Sequence, residues 1–85
     1  MKEFTYTVKD PVGIHARPAG RIVAAVSEYK SFITMWKGDQ PYDLKKLLTV
    51  MGSGLKCGDK IVVRVEGYDE DEALEAVKEA LKKNL

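Results

Sequence analysis

The stretch FTYTVKDPVGIHARPAGRIVAAV, residues 4–26, changes its period partway along. Phe4, Tyr6 and Val8 alternate with Thr5 and Thr7, the pattern of a strand with one face buried, and the alternation stops before Asp10-Pro11. From Ala16 onward Ala19, Ile22, Val23 and Val26 follow helical spacing, with Pro18 in the first turn and Arg17 and Arg21 on the polar side. This predicts a helix from Ala16 to about Tyr29. A half-buried strand feeding through a tight loop into an amphipathic helix opens a layered α/β fold. The loop between them holds the chain's single histidine, His15.

Downstream, SFITMW (31–36) is β-branched and aromatic and reads as a second strand. Gly38-Asp39 turns it into a short third strand at Gln40 to Tyr42. DLKKLLTVMGSG (43–54) sets Leu44, Leu47, Leu48 and Met51 at spacings of three and four, closed by Gly52 and Gly54, and predicts a short helix starting near Lys46. KCGDK (56–60) is a turn, and KIVVRVEG (60–67) is a strand with Ile61, Val63 and Val65 on one face. Asp69 with Glu72 three residues on predicts a capped helix, and Ala73, Leu74, Val77, Ala80 and Leu81 form its apolar stripe. The order strand, helix, strand, strand, helix, strand, helix predicts a single domain over residues 1–85. It is an open-faced α/β (α+β) sandwich, a four-stranded, mainly antiparallel sheet with three helices on one face.

Size and charge narrow the functions. A chain of 85 residues removes only about 60–65% of its unfolded surface from water, which leaves no room for a deep substrate cavity. Hydrophobic content of 45% with 32% charged residues is that of a globular protein, and no apolar run is long enough to span a bilayer. The N-terminal residues alternate from the outset and do not resemble a secretion signal, so the expected compartment is the cytosol. One cysteine, Cys57, makes no internal disulfide, and no Cys/His spacing suggests a metal. A net charge of +1 gives little bulk attraction to nucleic acid. Charge-based recognition must be local.

The first amides of a helix lack partners within it, and with the helix dipole they favour an anion just ahead of the first turn. His15 occupies that place. A phosphoryl group on its ring would face the amides of Ala16 and Arg17 and take charge-assisted bonds from the Arg17 guanidinium, while Pro18 has no donor to leave unpaired. The same field disfavours a cationic ring, so a neutral, nucleophilic imidazole is expected. Gly13 allows a tight turn before His15, and Ile14 can anchor the loop. Each residue also has an ordinary explanation: histidines occur as caps, arginines on solvated faces, prolines at helix starts. Taken singly, none decides.

GIHARPAG (13–20), the later DLKKLLTVMGSG, the capped terminal helix and the length together resemble HPr, the histidine-containing phosphocarrier family of the bacterial phosphoenolpyruvate-dependent sugar phosphotransferase system. The resemblance covers essentially the whole chain. It implies a carrier rather than an enzyme, without metal or cofactor, in which His15 takes a phosphoryl group from enzyme I and passes it to IIA components of sugar permeases. Arg17 would stabilise the phosphorylated ring. It further implies that Leu47, Leu48 and Met51 form an exposed apolar patch beside His15; Leu44 and Val50 are expected in the core independently of it. Beyond the resemblance, Gly20 is expected at a point of close partner approach, and Arg17, Arg21, Lys45 and Lys46 are expected to ring the patch with positive charge. A monomer is expected, with no nucleic-acid partner and no membrane insertion.

Several positions depart from that pattern. Lys46 stands where many Gram-positive members carry a regulatory serine, so phosphorylation there is excluded, and neither Thr49 nor Ser53 sits in an equivalent helical position. Gly20 replaces a small or β-branched residue, Val12 a polar one, and Cys57 a lysine or other polar residue. These departures keep a divergent paralogue open, either in a nitrogen-regulatory phosphotransfer branch or as a regulatory module acting by stoichiometric binding. Binding of RNA or a small ligand is disfavoured because the sequence shows neither an evident exposed aromatic pair nor a basic strand face.

Overall fold

The computed structural model describes residues 1–85. Its elements are β1 (Lys2–Thr7), α1 (Ala16–Val26), β2 (Phe32–Lys37), β3 (Gln40–Asp43), α2 (Leu47–Met51), β4 (Lys60–Glu66) and α3 (Glu70–Asn84). The strands form one sheet in the order β1-β4-β2-β3, antiparallel throughout. This is the expected open-faced sandwich.

The register explains which side is covered. Phe4, Val63, Met35 and Tyr42 lie in one row across the sheet, flanked along the strands by Ile61, Val65 and Ile33. Alternation points all of these toward the helices. There they meet Ala19, Ile22 and Val26 of α1, Val50 of α2, and Ala73, Val77, Ala80 and Leu81 of α3 in one core. The central strands are buried on this face. Phe4 and Tyr6, on the edge strand β1, are only half-buried, and the Tyr6 hydroxyl donates to the Leu81 carbonyl at 3.1 Å. Burial raises the Tyr6 phenol above its ordinary range. No helix is long and apolar enough to cross a membrane.

Two boundaries differ from the sequence reading. The first helix ends at Val26 rather than near Tyr29: Ser27 folds its hydroxyl back to the Ala24 carbonyl, the Tyr29 amide makes only a tight turn to the Val26 carbonyl, and the amides of Lys30 and Ser31 are captured elsewhere. The captor is Asp69. Its carboxylate does not cap α3, as the Asp69/Glu72 pattern predicts, but accepts from the amides of Lys30 (2.8 Å) and Ser31 (2.9 Å) and from the Ser31 hydroxyl. Three donors from the loop between α1 and β2 outweigh one at the helix start. The reach-back that a capping box needs comes instead from Glu70, whose carboxylate accepts the Gly67 amide at 3.3 Å. The third strand also extends one residue further, to Asp43.

Candidate functional site

His15 is the residue at which the extended chain becomes helix. Its φ and ψ of −148° and −178° are extended, its carbonyl already accepts the Ala19 amide at 3.0 Å, and its side chain makes no capping bond. The imidazole is therefore exposed, with both ring nitrogens free of protein partners. Directly after it, the amides of Ala16 and Arg17 bond to nothing in the protein, Pro18 has no N–H, and Ala19 is satisfied. The helix thus presents two free donors, at Ala16 and Arg17.

The loop carrying His15 is held from beneath. The Asp10 carboxylate accepts the Val12 amide at 2.8 Å, and the Asp10 carbonyl accepts the Gly13 amide. Gly13 has φ +81°, and a Cβ there would lie 2.3 Å from the Leu55 carbonyl oxygen, so the chain passes too close for any side chain. The next amide, of Ile14, donates to that same Leu55 carbonyl at 2.9 Å, and Leu55 is buried. Asp59 steadies this second loop by accepting from the Lys56 amide (2.9 Å) and pairing with Lys37 (3.2 Å). The Lys56 amide and the Lys37 side chain hold its carboxyl below the usual range. From the other side, the Leu85 carbonyl accepts the amides of Lys9 and Asp10. Neither Leu55 nor Leu85 stood out in the sequence. Both are isolated leucines outside any periodic run, and only tertiary contact reveals them.

The short helix α2 runs back along α1. Near its start the Lys45 ammonium donates to the Tyr29 carbonyl beyond the far end of α1, and after its end Leu55 meets the loop of His15. Leu44 and Val50 are core residues, whereas Leu47 and Met51 are exposed at the margin and Leu48 is 82% exposed. Two successive leucines of one turn cannot both point inward, and here both face solvent. Val12, 70% exposed in the histidine loop, is another apolar group left in water. No ion pair of the structure includes Arg17, Arg21 or Lys46, and all three are exposed. Lys45 differs. It is half-buried and bonded to Tyr29, about one α1 length from His15, so it belongs to the packing of the helix pair and not to a ring of charge about the histidine. Gly20 is half-exposed on α1, with open space where its side chain would be. Ser53 is buried with its hydroxyl bonded to the Val50 carbonyl, and Lys46 occupies the N-cap of α2.

A reactive-type side chain on an open surface, with free donors beside it and no enclosing pocket, is the form of a domain whose chemistry is completed by a docked partner: the class of small covalent carriers. Residues 2–83 match the family described as the PTS HPr component phosphorylation site. The chain is similar to the phosphocarrier protein HPr of Lysinibacillus sphaericus, 46% identical over 77 residues that cover 91% of this chain and 88% of the relative. It is also similar to that of Mycoplasma genitalium, 39% identical over 85 residues, 99% and 97% of the two chains. A solved structure of the histidine-containing phosphocarrier protein of Mycoplasma superposes with a TM-score of 0.92 at 32% identity, covering 96% of this chain and 93% of that one. The chain belongs to the HPr family of phosphocarrier proteins of the phosphotransferase system.

Proposed function

We propose that His15 accepts a phosphoryl group from phosphorylated enzyme I and hands it to IIA domains of sugar permeases, and that the protein does so in the cytosol as a monomer. The observation that carries this reading is the pairing of an uncapped imidazole with the free Ala16 and Arg17 amides, next to an Arg17 guanidinium that has no acidic partner. In the transfer an N–P bond forms at the His15 ring as the N–P bond on the donor histidine breaks in line with it. A ring-nitrogen lone pair of His15 makes the new bond, and the electron pair of the broken N–P bond stays on the donor ring nitrogen. The two amides and Arg17 then face the phosphoryl oxygens, so the anion is stabilised by groups already in place. No pocket is needed, because alignment comes from the partner's surface.

Docking falls to Leu47, Leu48 and Met51, with Arg17, Arg21 and Lys46 as the charged margin and Gly20 as the point of close approach. An acidic partner surface with an apolar centre complements this patch. Lys46 removes the regulatory hydroxyl expected at that position in many Gram-positive members, so no seryl phosphorylation switch operates there. A module acting only by stoichiometric binding would have no use for a free histidine at this place. It would bind its partner equally well as His15→Gln.

The test is incubation with phosphoenolpyruvate and enzyme I, followed by intact mass measurement. One acid-labile phosphate is expected on the wild type and none on His15→Ala. Because His15 is exposed and bonds to nothing through its side chain, that variant should keep its stability within about 0.5 kcal/mol. A wild-type chain that gains no mass overturns the reading.

A further inference from the structure

The face of the sheet away from the helices carries an aromatic pair that the sequence did not make evident. Phe32 and Trp36 lie on β2 with Thr34 between them, all on this open face, and Phe32 is 61% exposed. Together with Pro41 of β3, Arg64 and Glu66 of β4, and Met1, whose ammonium is already paired with Glu70 at 3.3 Å, they line a shallow depression. Its walls are fixed. The Arg64 guanidinium lies 4.6 Å from the centroid of the Trp36 ring and pairs with Glu3 at 3.2 Å, and the Trp36 indole N–H donates to the Thr34 hydroxyl. Phe32 stands at the other end, about 13 Å along the strand, with most of its surface exposed.

The charges around this strip say what would cover it. Arg64 is already engaged by Glu3 and Trp36. Glu66, opposite Phe32 in the register, and Asp43, opposite Thr34, have no cationic partner. The unmet need is for positive charge beside an apolar group. A nucleic-acid strand would bring phosphates toward those two carboxylates, against the usual basic stacking platform. Strands β2 and β4 are both paired on either side, so no strand can be added at the depression and recognition must run through side chains. We propose that the open sheet face is a second docking surface, for a protein segment that presents a large aliphatic side chain beside an arginine or lysine. The aliphatic group sits over Thr34 between Phe32 and Trp36, and the cation meets Glu66. This face lies across the sheet from the helices, so occupancy leaves His15 exposed.

The test is an NMR titration of the ¹⁵N-labelled full chain with a short Gly/Ser peptide carrying a central Leu-Arg pair, and with a control in which arginine is replaced by glutamate. Saturable shifts are expected at Phe32, Thr34, Glu66 and the Trp36 indole, with the arginine peptide bound about fivefold more tightly than its control. Glu66→Gln should remove that preference, and Phe32→Ala should weaken binding about tenfold. Both residues are exposed, so neither change threatens the fold. Equal binding of the two peptides, shifts confined to His15 and Leu48, stronger shifts with oligouridylate, or concentration-dependent pairing of the protein through this face each overturn the proposal.

Discussion

At Gly13 the backbone lies against the Leu55 carbonyl, and two residues later the chain presents His15 to solvent. Gly13→Ala should therefore cost about 2–4 kcal/mol, from a Cβ forced into backbone and from its left-handed φ. Thermal unfolding would show the loss, and phosphoryl transfer should fall with it because the His15 loop must shift. Gly20 presents the opposite case. A helical glycine with nothing within 4 Å of an added Cβ should gain about 0.5–1 kcal/mol on replacement by alanine. If close partner approach is what Gly20 serves, Gly20→Ala will be more stable and yet slower in transfer from enzyme I, a combination that stability alone cannot produce. Arg17 is exposed and unpaired, so Arg17→Ala should change stability by less than about 0.5 kcal/mol. It should slow transfer by about tenfold or more if the guanidinium holds the phosphoryl oxygens. Stopped-flow or quench measurements with excess enzyme I separate the two effects.

The junction between α1, β2 and α3 shows how a local pattern is overridden. Asp69 begins α3 in sequence, but its carboxylate is held by the Ser31 hydroxyl and the Lys30 and Ser31 amides. The Ser31 hydroxyl, then the Lys30 amide, hold that carboxyl below the usual range. Because the folded value lies below the unfolded one, the contribution is fully present above the unfolded carboxylate range of about pH 4 and is lost as pH falls through the folded value. Asp69→Asn should lower the melting temperature at neutral pH, and its difference from wild type should shrink on acidification below about pH 4. A constant difference from neutral pH down to about pH 2 would show that charge plays no part. The short helix α2 is governed in the same way. Five residues cannot sustain a helix alone, and α2 persists because Val50 is buried, Lys45 reaches Tyr29 and the chain beyond it is anchored at Leu55.

Across the whole molecule, unpaired basic groups and exposed leucines gather on the helix side, while carboxylates of α3 cover another flank. Asp71, Glu72, Glu75 and Glu79 share an open acidic surface there. A net charge of +1 hides this division. Association with an acidic partner should weaken with salt, because screening shortens from roughly 30 Å at 0.01 M to roughly 3 Å at 1 M. Leu48→Asp adds a like charge and removes the most exposed leucine of the patch. It should reduce affinity for enzyme I by about tenfold or more without destabilising the fold, as read by calorimetry and melting. Unchanged affinity in that variant would move the docking surface elsewhere.

The chain by itself determined the element order and the fold class, and it marked His15 as the candidate for phosphoryl transfer. Period-two alternation in Phe4, Tyr6 and Val8, helical spacing in Ile22 and Val26, and the GIHARP string are local signals that survive without knowledge of contacts. Helical spacing alone put Leu44, Leu47, Leu48 and Met51 on one stripe, and it was the family resemblance that separated an exposed Leu48 from the core. What lay beyond it were groups whose partners come from distant sequence. Asp69 bonds to residues 38 and 39 positions away, Gly13 is confined by Leu55, and Lys45 is drawn to Tyr29. The aromatic pair of Phe32 and Trp36 on a water-facing sheet was hidden for the same reason. A strand's alternation says that two faces differ, but only packing decides which of them the helices cover.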